Sequence, residues 1–221
     1  LDVVQVDHTL ADIILVDSFE RKPIGRPWVT LTIDIATRMV TGYYVSLEAP
    51  SRLSVALCLT RAVAPKAALL ADLGSSAPWP AQGRPRSIHV DNGSDFRSRT
   101  FQGACAEWGI DLTYRPLARP HFGGHIERLI GTMMGAVHLL PGTTESSIAA
   151  KGSYDAEAKA AMSLSEFDSW FVLEICRYNN SVHSSLGCTP VAKWEALAAE
   201  MSSDIPFDME AFRATFLPSE I

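Results

Sequence analysis

The 221-residue sequence predicts a mixed α/β domain with helices covering a central sheet. Three observations carry this. β-branched runs are concentrated in the first fifty residues, strand and helix patterns alternate through the middle, and long helical periodicities dominate the last third. Hydrophobic residues make up 47% and charged residues 20%, enough apolar side chain for a buried core and too little charge for a disordered chain.

Val3, Val4 and Val6 form a short strand pattern ending at Asp7, and residues 13–16 form another. Residues 18–27, with Pro23, Gly25 and Pro27, read as a loop. Residues 28–35 and 39–46 read as two strands joined by a tight turn at Ala36, Thr37 and Arg38. Ser51 suits the N-cap of a helix reaching Val63, and residues 74–85 form a Ser/Pro/Gly loop. A strand over 87–90 runs into Asp91-Asn92-Gly93, a turn sequence. A helix over 98–108 and a strand over 111–115 follow.

Beyond Pro120, the residues Ile126, Leu129, Ile130, Met133, Met134 and Val137 recur at the spacing of one helical face. Glu127 lies off that face, on a stripe with Gly123, Gly124, Gly131 and Gly135. Glycine inside a helix costs about 1 kcal/mol relative to alanine, so the stripe suggests close approach by a bulky group or tight packing against another element. Residues 141–162 read as an excursion. Helices over 164–179 and 190–201 close a domain spanning residues 1–200, and 201–221 read as a tail.

The net charge of −6 argues against a protein that coats nucleic acid generally. Between residues 84 and 128, however, seven arginines face five acids, so this segment is +2 and the remainder −8. Arginine is the side chain best matched to phosphate. Cys58, Cys105, Cys176 and Cys188 have no zinc-knuckle spacing and fit a reducing cytosol, and no apolar run is long enough to span a membrane.

Three acids stand out. Asp7 ends an apolar strand, Asp91 ends another, and Glu127 rides the glycine stripe. If the two strands are neighbours, both aspartates meet at one sheet end and the helix supplies a third carboxylate. Such a cluster needs a cation, and hard divalent ions such as Mg²⁺ prefer these oxygens. Each acid alone has a plainer reading, as a turn cap or a solvated surface group. Asp34 is the main competitor and reads as support for the turn with Thr37 and Arg38. Asp12, Asp17 and Asp95 read as loop or surface acids.

The three acids lie in Val6-Asp7-His8-Thr9, His89-Val90-Asp91-Asn92-Gly93-Ser94-Asp95-Phe96 and Arg119-Pro120-His121-Phe122-Gly123-Gly124-His125-Ile126-Glu127-Arg128, with 35 residues between Asp91 and Glu127. Tyr178-Asn179-Asn180, His183 and Thr189-Pro190 follow. This sequence resembles the catalytic cores of DDE transposases and retroviral-type integrases. Gly25-Arg26-Pro27-Trp28, Asp34 with Thr37-Arg38, and Leu140-Pro141-Gly142-Thr143-Thr144 make it most similar to bacterial TniA/TnsB-type, Mu-like transposases. The resemblance implies an RNase H-like fold with a five-stranded mixed sheet. It also implies Asp7, Asp91 and Glu127 as ligands for two Mg²⁺ or Mn²⁺ ions. The implied activity is cleavage of DNA at transposon ends and transfer of the 3′-hydroxyl into target DNA.

Further implications are a homo-oligomer and an AAA+ ATPase partner for the full-length protein, cytoplasmic action, DNA-end-binding domains upstream and a small β-barrel downstream. The sequence begins at Leu1 and is read as a piece of a longer protein. Asn92, Arg119, His121, His125 and Arg128 are candidate DNA contacts, each with an ordinary structural alternative. The competing functions are another RNase H-like nuclease, a catalytically inactive assembly module, and two-carboxylate glycoside hydrolysis, which needs no metal.

Overall fold

The computed structural model describes residues 2–93, 96–115, 123–144, 155–198 and 208–216. Seven strands occur among them: β1 (Val3–Leu10), β2 (Leu15–Val16), β3 (Pro23–Gly25), β4 (Trp28–Asp34), β5 (Val40–Ser46), β6 (Ser87–Val90) and β7 (Asp111–Tyr114). The helices are α1 (Arg52–Val63), α2 (Ala67–Asp72), α3 (Arg99–Glu107), α4 (Gly124–Val137), α5 (Ala156–Lys159), α6 (Leu164–Asn179), α7 (Pro190–Ala198) and α8 (Met209–Phe216).

Five strands form one sheet in the order β5-β4-β1-β6-β7. β4 pairs antiparallel with both β1 and β5, whereas β6 runs parallel to β1 and β7 runs parallel to β6. The mixed pattern follows from connection length. The tight turn between β4 and β5 returns the chain antiparallel, and the long helical connections before β6 and β7 bring it back parallel. β2, within the expected second strand, and β3, inside the segment read as a loop, form a separate ribbon, between which the Asp17 carboxylate accepts backbone hydrogen bonds from Phe19, Glu20 and Lys22.

Side-chain alternation on β4 separates the layers. α1 packs on β4 and β5, where the Cys58 thiol reaches the Thr30 main-chain carbonyl, while α4 packs on β1 and β4, where Ile33 borders the same cavity as Leu129. α1 lies close on β5 because Gly42 has no side chain: a Cβ there would come 2.6 Å from the Cys58 carbonyl oxygen. Ile126, Leu129, Met133, Met134 and Val137 of α4 are buried, the face expected from their spacing.

β1 does not end at Asp7. It continues to Leu10 because β4 pairs along its whole length, with Asp7 opposite Leu31 and Leu10 opposite Trp28. Asp7 is therefore a mid-strand residue. α8 falls within the segment read as a tail, yet Phe212 and Phe216, one turn apart, are buried against α1 and α3. α2, a short helix, carries no clear sequence signal. The excursion is anchored at its start, where Ile14 donates to the Gly142 carbonyl and Thr144 to the Asp12 carbonyl; residues 145–154 lie outside the described residues.

Candidate active site

Alternation on β1 buries Val4 and Val6 in the core and puts Gln5 and Asp7 together on the opposite face. Gln5 is itself buried, and its side-chain oxygen accepts a 3.1 Å hydrogen bond from the Ile126 backbone N–H. That bond ties the first turn of α4 to the face that carries Asp7. Gln5 thus positions Glu127, a role without a sequence signal beyond its place in an apolar strand.

Asp91 follows β6 directly. Gln5 and His89 are the last pair of the parallel ladder, so Asp7 and Asp91 each lie two residues beyond it on neighbouring stretches of the chain. Its Oδ1 accepts from the Gly93 N–H at 2.8 Å, closing the expected turn. Asn92 is engaged structurally: its amide donates to the Arg115 carbonyl at 2.9 Å, and its oxygen accepts from Arg97 at 2.5 Å.

Arg115 joins the carboxylates. It follows β7, and Val90 pairs with Tyr114, so the parallel register brings Arg115 level with Asp91. Its Nη1 donates to Asp7 Oδ2 at 3.3 Å and lies 3.9 Å from Glu127 Oε1. A Cβ on Gly123 would fall 2.5 Å from Glu127 Oε1 and 2.7 Å from Arg115 Nη1, so a larger residue at the start of α4 would push the ends of both side chains aside. By contrast, a Cβ on Gly131 or Gly135 would meet nothing within 4 Å, so neither marks tight packing.

Among the described residues, no group of three or more His, Cys, Asp or Glu side chains is arranged to hold a metal ion. The donor chemistry nevertheless fits a hard divalent cation. Two carboxylates from separate elements converge on one positively charged nitrogen, and a third, Asp91, follows the neighbouring strand. Arg115 supplies the positive charge in this arrangement.

The other candidates divide. His125 accepts at Nδ1 from Arg128 at 2.9 Å, and both border a cavity on the far side of α4. Arg119 and His121 lie outside the described residues, as does Asp95. Asp34 is fully buried, and one carboxylate oxygen accepts from the Thr37 N–H at 2.9 Å and hydroxyl at 2.6 Å, the turn-supporting role expected of it. Asp12 pairs with Arg26. Sequence reading missed Arg115 because it was counted only among the basic residues; the strand before it, parallel to the one bearing Asp91, was the available signal.

Residues 5–142, more than half of the chain, match the TnsB C-terminal domain. The chain belongs to the TnsB C-terminal domain family. It is 29% identical over 196 residues to the transposase for transposon Tn552 of Staphylococcus aureus, covering 88% of this chain and 37% of that protein. It is 28% identical over 232 residues to the Tn7 transposition protein TnsB of Escherichia coli, covering 97% of this chain and 33% of that protein. The chain thus spans about a third of these curated relatives.

Two solved structures share the fold. A simian T-cell lymphotropic virus intasome, in complex with the PP2A regulatory subunit B56 gamma, aligns at TM-score 0.56 and 17% identity, over 94% of this chain and 58% of that chain. The catalytic core domain of BIV integrase aligns at TM-score 0.50 and 17% identity, over 90% and 97%. The five-stranded sheet with its helices is therefore the RNase H-like fold of integrase cores. Among the described residues, no helix is long and apolar enough to cross a membrane.

Proposed function

We propose that this TnsB-family chain is the catalytic core of a DDE transposase, with Asp7, Asp91 and Glu127 as the ligands of two Mg²⁺ or Mn²⁺ ions. Its reaction is cleavage of DNA at transposon ends, followed by joining of the freed 3′-hydroxyl to target DNA. The observation that carries this reading is the convergence of Asp7 and Glu127 on one guanidinium nitrogen, 3.3 and 3.9 Å away, from elements distant in sequence.

The divalent ions, when bound, supply Lewis-acid activation of the attacking oxygen and stabilise the leaving one. The chain's own contribution is placement. β1 carries Asp7, Asp91 follows the neighbouring strand β6, and Gln5 holds the first turn of the helix that bears Glu127. The Asp91 turn is fixed by Gly93 and by Asn92, whose amide ties it to the Arg115 carbonyl. Water and then the DNA 3′-hydroxyl serve as nucleophiles, so no protein group attacks phosphorus. Arg119, His121, His125 and Arg128 are assigned to DNA contacts. The whole protein is proposed to act in the cytoplasm as an oligomer on transposon ends and target, with an AAA+ ATPase partner.

A second reading, a catalytically inactive DNA-binding or assembly module, is favoured by one observation: Arg115 already neutralises two of the three carboxylates. Metal protection separates the readings. Mn²⁺ or Mg²⁺ binding only the folded chain raises its melting temperature, by the equivalent of about 2.7 kcal/mol at a hundredfold excess over Kd. Asp91→Asn is expected to abolish this response while leaving the metal-free fold intact. A chain without a metal response, or an equal response in Asp91→Asn, rejects the assigned site. Strand transfer from an end bearing a 3′-hydroxyl into supercoiled DNA then distinguishes a transposase from another RNase H-like nuclease.

A further inference from the structure

On the side of α4 away from Arg115, a cavity of about 620 Å³ opens between that helix, the β4–β5 turn and the end of α6. Arg38, His125, Arg128, Tyr178 and His183 border it, and none of its lining residues is an acid. This is unusual in a chain of net charge −6. Arg177 also lines the cavity, but its guanidinium is paired with Glu174. Among the described residues, no carboxylate forms an ion pair with Arg38 or Arg128.

Two features mark a built site rather than scattered surface charge. Arg38 sits at φ +61°, a conformation that glycine adopts far more readily, and its Nη1 is buried with no hydrogen-bond partner among the described residues. Such a donor ordinarily finds an acceptor. The histidines supply the second feature. A guanidinium can only donate, so His125 Nδ1 accepts from Arg128. His183 Nδ1 likewise accepts from the Ser185 N–H at 3.3 Å. Each imidazole is left with a donor at Nε2. Burial, and then the nearby Arg38 and Arg128, hold both imidazoles below their ordinary range, so they are neutral donors at pH 7. The cavity is thus rich in donors and carries no carboxylate, its acceptors being the hydroxyls of Thr132, Tyr178, Ser181, Ser184 and Ser185.

We propose that this cavity binds a backbone phosphate of DNA, with Arg38 and Arg128 as the charged contacts and His125 and His183 as neutral donors. The assignment rests on the proposed action of the chain on DNA. His125, Glu127 and Arg128 span about 4.5 Å of helix axis at 1.5 Å per residue. The cavity therefore lies level with Glu127 along α4, across a helix about 10 Å wide, and a duplex seated on the carboxylates meets it only by bearing on both sides of α4. The contact is independent of base sequence, because a phosphate carries no sequence information.

The test is the salt dependence of binding to a short duplex of arbitrary sequence, followed by fluorescence anisotropy in EDTA. Arg38→Gly removes the guanidinium while keeping a residue suited to the positive φ. Arg128→Gln changes an exposed helix position. Arg86→Gln, at an exposed arginine paired with Asp2, is the control. Arg38→Gly and Arg128→Gln are each expected to weaken binding roughly tenfold and to flatten the slope of log K against log salt by about 1. Arg86→Gln is expected to leave the slope unchanged.

Slopes equal to the native value in both cavity variants overturn the proposal, as does failure of the native chain to bind duplex. Inorganic phosphate provides a parallel arm. If it protects the native chain against heat and neither cavity variant, while their DNA slopes stay native, the cavity belongs to a small phospho-anion and the DNA assignment falls. Because metal is excluded from the binding assay, its failure leaves the carboxylate site untouched; that site is read separately by Mn²⁺ protection.

Discussion

On the proposed function, Arg115 competes with divalent ions for the same carboxylates. With its side chain only 13% exposed, Arg115 holds Asp7 and Glu127 together against their mutual repulsion. Arg115→Gln is expected to lower metal-free stability by roughly 1–3 kcal/mol, because Asp7 is half-buried and loses its charged partner. It is also expected to enlarge the Mn²⁺-induced rise in melting temperature, since no guanidinium then has to be displaced. A rise no larger than that of the native chain means that Arg115 does not share the metal position. Asp34 gives a different signature. Burial raises its carboxyl above the ordinary value of 3.8, outweighing the two hydrogen bonds from Thr37 that pull the other way. The native state therefore holds this proton more tightly than the unfolded chain does. Stability falls as pH rises from 3.8 through the raised native value. Urea unfolding across that range is expected to show this limb in the native chain and to lose it in Asp34→Asn, whose side-chain oxygen still accepts from Thr37.

At the scale of elements, one substitution made at two glycines separates helix propensity from packing. Gly135 in α4 has open space where a Cβ would stand. Gly135→Ala is expected to stabilise the chain by about 1 kcal/mol, the helix-propensity difference. Gly42 in β5 faces the α1 backbone, with the Cys58 oxygen and Ala62 nitrogen at 2.6 and 2.7 Å from a Cβ. Backbone cannot rotate away as a side chain can, so Gly42→Ala is expected to cost about 1–3 kcal/mol through overpacking. Chemical denaturation of the two variants reads both signs. A loss of stability in Gly135→Ala would mean that α4 is less helical around that residue than described. The same comparison explains why the glycine stripe was ambiguous in the sequence. Only Gly123 has side chains close against it, those of Arg115 and Glu127, which the linear pattern could not pair.

At the scale of the molecule, alternation and helical spacing made the β4–β5 hairpin, β6, α4 and α6 legible, because each is specified by local pattern. What escaped depended on distant contacts. The end of β1 is set by pairing with β4, so Asp7 lies mid-strand although its own sequence suggested a strand end. Arg115 finds Asp7 only once β7 lies parallel to β6. α8 was read as tail because eight residues carry too little pattern, yet it completes an aromatic chain. Trp108 contacts Phe212 at 5.0 Å, Phe212 contacts Phe216 at 5.0 Å, Phe216 meets Phe101 at 5.7 Å, Phe101 meets Phe96 at 5.8 Å, and Phe96 stacks on His8 at 5.3 Å. His8 follows Asp7, so packing of the last described helix bears on the site. Phe216→Ala empties a fully buried position and is expected to cost about 3–5 kcal/mol. For a domain of this size that lowers the melting temperature by on the order of 10 °C. Because Phe216 touches Phe101 and not the carboxylates, the melting curve is expected to shift as a single transition, with the Mn²⁺ response retained below it. A loss under about 1 kcal/mol, well short of the cost of a buried phenylalanine, would show that α8 lies outside the cooperative unit. The aromatic chain would then not support the strand that carries Asp7.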